Sequence, residues 1–223
     1  FKDLLMLSLG RGLQVLAGLV TFKIATTLLS PSDVGSMNQL MSLAILGTSA
    51  VLIPMAAYIG RGCLEWMDTG TLSRRLGSYL LVVLAIAPAL GLVAWVIQSQ
   101  LILVAGIGAA WVGGLVALYT VGFSLHTMGT SGLNLIGHQF LYVLFGNIAV
   151  WGGLILALWY SDGAASPEMW LLGIFCGFLL SSLSYAFLTR YARAGAPAIS
   201  SDASGLLPFD WRTVFMFVWP QAM

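Results

Sequence analysis

Six continuous apolar runs dominate this chain, each near the roughly 20 residues that a helix needs to cross about 30 Å of hydrocarbon, and they leave it few ways to fold. They cover about Leu4–Leu29, Ser36–Gly60, Leu76–Ile97, Leu101–Thr127, His138–Tyr160 and Trp170–Arg190, and a seventh opens at Phe209. Each run is continuously apolar instead of alternating residue by residue, so it predicts a helix and not a barrel strand of about ten residues. Charged residues are only 8% of the sequence against 59% hydrophobic, which excludes an ordinary soluble domain, where about a quarter are charged. The expected fold class is an all-α polytopic membrane protein.

The basic residues give that bundle two distinct ends. Of the 9 Lys and Arg, Arg11 and Lys23 lie inside the first run, and the rest are Lys2, Arg61, Arg74, Arg75, Arg190, Arg193 and Arg212. If every run crosses, all of the latter fall on one side. The opposite connections, around Pro31–Gly35, Gln98–Gln100 and Ser161–Pro167, carry no Lys or Arg but hold Asp33 and Asp162, with Glu168 beside them. By the positive-inside rule the N-terminus is expected in the cytoplasm.

The connections are too short to be domains. Pro31 to Gly35 reads as a turn. Arg61 to Arg75 alternates Leu64, Trp66, Met67 and Leu72 with polar residues, as an interfacial amphipathic turn or short helix would. Residues 191–208, rich in Ala, Ser, Gly and Pro, read as a cytoplasmic linker. The expected organisation is therefore a six-helix lobe over 1–190, this linker, and the start of a seventh helix over 209–223. The chain opens on Phe1 without an initiator Met and stops inside the seventh run, so a further C-terminal portion is expected.

Trp95, Trp159, Tyr160 and Trp170 fall near one interface and Trp66, Tyr79, Tyr191 and Trp211 near the other, as membrane anchors do. Small residues at Gly106–Gly114 and at Gly173 and Gly177 suit close helix packing. Cys63 and Cys176 lie at different depths with no neighbouring His, so neither a disulfide nor a metal site is expected. Pro54 and Pro88 fall within runs, where each removes a backbone hydrogen bond and favours a kink.

Polar residues inside the runs carry the functional information. An ionisable side chain within a membrane helix is costly enough to count as a functional lead. At 100° per residue, Ser8, Arg11, Gln14, Gly18 and Thr21 share an arc of about 140° on the first run. Lys23 lies about 120° from Arg11 around the same helix. On the second run Asn38, Ser42 and Ser49 fall within about 40° of one another. Two such stripes suggest one hydrated cavity, although Arg11 and Lys23 sit close enough to the run ends to reach an interface instead. His126, Asn134, His138 and Tyr142 gather near the connection between the fourth and fifth runs, where interfacial hydrogen bonding is the expected role.

All 8 acidic residues lie at run ends or in connections, so this stretch offers no embedded carboxylate for Na⁺, H⁺ or a cationic drug. It has no P-loop, no acidic cluster for a metal-dependent transferase and no Ser/His/Asp set at a common depth. An enzyme is not expected, nor a cofactor, a metal or a nucleic-acid partner. A cavity whose fixed charges are positive suits an anion.

Gly10-Arg11-Gly12-Leu13-Gln14 in the first run, with Thr26-Thr27-Leu28-Leu29-Ser30-Pro31-Ser32-Asp33-Val34-Gly35-Ser36-Met37-Asn38-Gln39 across the first turn, resembles the N-terminus of the oligosaccharide flippases of the multidrug/oligosaccharidyl-lipid/polysaccharide exporter superfamily. Val34 stands where that family commonly has an aromatic. Gly132-Leu133-Asn134-Leu135-Ile136-Gly137-His138-Gln139, and Phe209-Asp210-Trp211 followed by Trp219-Pro220, are also similar to it. The resemblance implies two pseudo-symmetric six-helix lobes around a central cavity, working by alternating access in a bacterial cytoplasmic membrane. It implies an undecaprenyl-diphosphate-linked oligosaccharide as substrate, for O-antigen, capsule or exopolysaccharide assembly, with polysaccharide-assembly proteins as partners. The positions it maps to the cavity are Arg11, Gln14, Lys23, Asn38 and Ser42. A cation-coupled multidrug exporter of the same superfamily, and a membrane-embedded polysaccharide polymerase or glycosyltransferase, are the alternatives.

Overall fold

A computed structural model describes residues 2–101, 104, 106–161 and 166–194, and among these every regular element is helical. The elements are α1 (Lys2–Leu28), α2 (Pro31–Asp68), α3 (Leu72–Leu101), α4 (Ala109–Leu135), α5 (Gln139–Asn147), a π-helical turn (Ile148–Gly152), α6 (Gly153–Tyr160), α7 (Pro167–Ser181) and α8 (Leu183–Ala194). Helix α5, the π turn and α6 form one apolar stretch, as do α7 and α8. Five stretches are long and apolar enough to cross a membrane, and α2 makes a sixth when its two halves count as one bent span. The chain is an all-α, multi-pass membrane protein. The expected seventh helix, most of the 191–208 linker, Asp162 and Arg212 lie outside the described residues.

Two turns with the same chemistry start α2 and α7. Ser30 caps α2, its Oγ accepting from the Asp33 N–H at 3.2 Å, with Pro31 in the first turn. Ser166 caps α7 by accepting from the Met169 N–H at 3.3 Å, followed by Pro167. In both, the hydroxyl satisfies an otherwise orphaned N–H and proline supplies a helical φ where no N–H is needed. Asp33 and Glu168 sit in the first turns, where the helix dipole favours negative charge.

The opposite end is the basic one. Leu72, Leu76, Cys63, Leu133, Leu188 and Ala192 share one core cluster, which draws together the α2–α3 turn and the ends of α4 and α8. Arg61, Arg74, Arg75, Arg190 and Arg193 belong to these segments. Ala25, Leu29, Leu154, Ala157 and Trp170 form a separate cluster at the acidic end.

Pro31 to Gly35, expected as a turn, is the first turn of α2, and other sequence expectations change in detail. Helix α2 runs without interruption to Asp68 and turns over Thr69 to Thr71, with Gly70 at φ 69°, so Arg61 to Asp68 continues a span and is no separate interfacial helix. Helix α2 bends by 46° between its halves Pro31–Ala50 and Leu52–Asp68, where Pro54 has no N–H for the Ala50 carbonyl. Helix α3 passes Pro88 as a single element. Helix α8 extends to Ala194, so the segment expected as linker begins as helix.

A shift of the fourth span matters most for the site. The fourth span starts at Ala109 and ends at Leu135, two turns later than the hydrophobic run suggests. Gln98 explains the late start. Its amide donates to the carbonyls of Val104 (2.7 Å) and Ile107 (2.9 Å) and accepts from the Val104 N–H (2.9 Å). One buried side chain thereby serves three backbone groups of a non-helical connection, groups that would each cost about 1–3 kcal/mol if left unmet. Gly106, at φ +79°, lies in the same connection, in the left-handed region that favours glycine.

Glycines let the helices meet at backbone distance. A Cβ at Gly91 would stand 2.7 Å from the Gly113 carbonyl and the reverse holds, which joins α3 to α4. At Gly173 it would stand 2.2 Å from the Ala157 nitrogen, which joins α7 to α6. Close approach of this kind substitutes dispersion for the hydrophobic drive that lipid removes. Leu81, Leu84, Leu92 and Val93 of α3, and Leu4, Leu9, Val15 and Leu19 of α1, are exposed, as lipid-facing side chains are in a bilayer.

Candidate functional site: a polar cavity beside α1

Helix α1 meets the bundle along a face of small residues with Gln14 and Thr21 among them, while Ser8, Arg11 and Gly18 of its polar stripe are exposed. Gly10, Ala17 and Ala25 are buried and Gln14 and Thr21 partly so, while most of its leucines are exposed. The helix lies against α5 and the π turn and touches α2 only slightly. Gln14 passes directly over Gly146, where a Cβ would fall 2.2 Å from its amide nitrogen.

A cavity of about 230 Å³ opens there, lined by Arg11 and Gln14 of α1, His126, Thr127, Thr130 and Ser131 of α4, Tyr142 and Gly146 of α5, Ala149 and Val150 of the π turn, and Phe178 of α7. The Arg11 guanidinium carbon stands 5.3 Å from the centre of the Tyr142 ring, and its Nη1 donates to Gln14 Oε1 at 3.4 Å. The aromatic face holds the cation at the cavity. No carboxylate lines this space among the described residues. Arg11 is an exposed side chain at the cavity's edge with no acidic partner among the described residues.

Behind the cavity a short relay fixes His126. Its Nδ1 lies 2.6 Å from Ser181 Oγ, and Ser181 donates to the Phe145 carbonyl at 2.6 Å. A serine hydroxyl has one proton. With that proton on the carbonyl, Nδ1 must carry the hydrogen of the His126–Ser181 bond, and neutral His126 keeps its lone pair on Nε2.

A second, apolar cavity of about 200 Å³ stands back to back with the first and shares Ala149, Val150 and Phe178 with it. Gly18, Thr21, Phe22 and Ala25 of α1, Met37 and Met41 of α2, and Trp170 and Ile174 of α7 complete its wall. The α1 stripe from Arg11 to Thr21 therefore runs from a polar compartment into an apolar one.

The five positions expected to line one cavity fall in three places. Arg11 and Gln14 share the polar cavity. Asn38 and Ser42 line a groove of about 460 Å³ on α2 with Gln39, Leu43, Leu46 and Val104, where Ser42 Oγ donates to the Asn38 carbonyl at 2.8 Å. Lys23 is exposed on α1, and its carbonyl accepts from the hydroxyls of Thr26 and Thr27.

His126, Thr127, Thr130, Ser131 and Tyr142 also line the polar cavity, and sequence reasoning did not select them as site residues. His126 lies more than two turns inside α4 and not at its end, because the whole span is displaced toward the C-terminus. Tyr142 lies near the start of α5, where its sequence position puts it. The available signal was the spacing of His126, Thr127, Thr130 and Ser131, which shares one helical face at 100° per residue. Asn134 is exposed, and His138 packs edge-on against Tyr191 with ring centres 4.7 Å apart. No family model, curated protein or solved structure matches this chain.

Proposed function

We propose that this chain is the N-terminal lobe of a flippase that moves undecaprenyl-diphosphate-linked oligosaccharide across a bacterial cytoplasmic membrane by alternating access, with its basic end in the cytoplasm. The observation that carries this reading is the polar cavity in which Arg11 is the only Lys, Arg, Asp or Glu of the lining among the described residues. An anion entering it meets a cation that no carboxylate neutralises. A guanidinium offers a planar fork of N–H donors matched to phosphate oxygens. The adjoining apolar cavity favours a ligand that is part anion and part hydrocarbon. Among the described residues, no embedded carboxylate, which a cationic drug or coupling cation would call for, lines either cavity. The second lobe, expected C-terminal to Met223, would close the cavity on its exposed side, and polysaccharide-assembly proteins are its expected partners.

Expression of the full-length protein in a bacterial strain lacking its oligosaccharide flippase tests the reading. Surface polysaccharide is expected to return. Stable membrane insertion with no return, across strains supplying different lipid-linked glycans, would contradict it.

A further inference from the structure

Taking the flippase reading as its basis, we infer that His126 is a ligand-binding residue, whose Nε2 accepts a hydrogen bond from a hydroxyl of the sugar attached to the diphosphate. The ring is held in one orientation and one tautomer. Nδ1–H is spent on Ser181, a fully buried side chain whose own proton goes to the Phe145 carbonyl. The Phe178 ring packs beside the imidazole with centres 5.5 Å apart. Nε2 makes no hydrogen bond among the described residues, yet it is not among the buried side-chain atoms left without a partner. It is therefore open to whatever enters the cavity that His126 lines.

The chemistry of that nitrogen selects the ligand group. A neutral imidazole lone pair repels phosphate oxygens and accepts from O–H. Arg11, in the same lining, is the group for the phosphate, so the two side chains divide an anionic glycoconjugate between them. Thr130 strengthens the polyol character of the wall: its Oγ1 donates to the His126 carbonyl at 2.8 Å and retains lone pairs for a second hydroxyl. At about 230 Å³ the space is below the roughly 300–1,000 Å³ of pockets that enclose a drug-sized ligand. It suits the diphosphate end and the first sugar, not the whole glycan.

The test uses the full-length protein purified in detergent and two probes, a short-chain prenyl diphosphate and the same molecule bearing one N-acetylhexosamine. His126→Asn keeps a donor at the Nδ1 position and removes Nε2, whereas His126→Gln keeps a polar atom at the Nε2 position. Losing one hydrogen bond should weaken binding of the sugar-bearing probe about fivefold to tenfold in His126→Asn. Binding of the plain diphosphate should be unchanged in that variant. His126→Gln should retain most of the affinity for both probes.

The reverse ranking, with Asn retaining and Gln losing affinity, would make His126 a structural partner of Ser181 and overturn the inference. So would equal weakening for both probes, unchanged binding of both in both variants, or failure of both variants to fold. In each of these cases the flippase reading survives if the native protein binds the probes. If the native protein binds neither, the flippase reading fails and the role of His126 falls with it.

Discussion

Export by the full-length protein is expected to be lost when Arg11 is replaced by Glu or Ala, at unchanged protein level, and to be partly kept by Lys. A charge-assisted hydrogen bond contributes about 1.5–3 kcal/mol, so truncation to Ala should weaken substrate binding about tenfold to a hundredfold. Reversal of charge should do more, because the cavity would then repel the diphosphate. Lys restores the charge but not the planar fork. The measurement is surface polysaccharide in a flippase-deficient strain, with membrane abundance followed in parallel. Arg11 sits only about 10 Å inside the start of the first apolar run at 1.5 Å per residue, and a purely interfacial arginine predicts a different pattern. Ala would then be tolerated, or abundance and export would fall together. Normal export by a well-inserted Arg11→Glu protein would remove Arg11 from the mechanism.

The second large effect concerns packing. Gly173→Leu is expected to prevent α7 from seating on α6, because its Cβ would meet the backbone nitrogen and Cα of Ala157 at 2.2 and 2.3 Å. Backbone cannot swing aside as a side chain can. Overpacking of this kind costs about 3 kcal/mol or more, so the variant should show a clearly lowered melting temperature in detergent or no monodisperse protein at all. Gly12→Leu is the matched control, since nothing lies within 4 Å of a Cβ at that exposed position. Equal melting temperatures for the two variants would mean that α6 and α7 do not pack through Gly173.

The membrane class and the helical secondary structure were legible because a run of about 20 apolar residues has few other solutions in a bilayer. The caps at Ser30-Pro31 and Ser166-Pro167 go unread in the sequence, where Pro31 to Gly35 reads as a turn, although the signal is local: a serine reaches the third N–H beyond it and proline suits the first helical position. The start of α4 was not legible. Val104 and Ile107 are apolar enough to extend a hydrophobic run, and what keeps them out of the helix is the Gln98 amide together with the Gly106 turn. That is a tertiary hydrogen-bond pattern, invisible to hydropathy.

The site divides in the same way. Arg11 and Gln14 could be read from α1 because an ionisable group and an amide one turn apart stand out against leucine. Asn38 and Ser42 show the limit of the method. Their spacing places them on one face of α2, but which helix that face meets depends on how α1 leans, and α1 leans toward α5. His126 was misplaced by the two-turn shift of α4, and its orientation depends on Ser181 and Phe145, both far from it in sequence.

The central claim is that the protein moves a lipid-linked anionic glycan between leaflets, and reconstitution tests it most directly. Full-length protein is placed in liposomes holding a fluorescent prenyl-diphosphate oligosaccharide, and the inner-leaflet fraction is followed by protection from a membrane-impermeant quencher. Vesicles containing the native protein should lose that protection rapidly, and vesicles containing Arg11→Glu should keep it as protein-free vesicles do. Protection in native-protein vesicles that decays no faster than in protein-free ones would contradict the account.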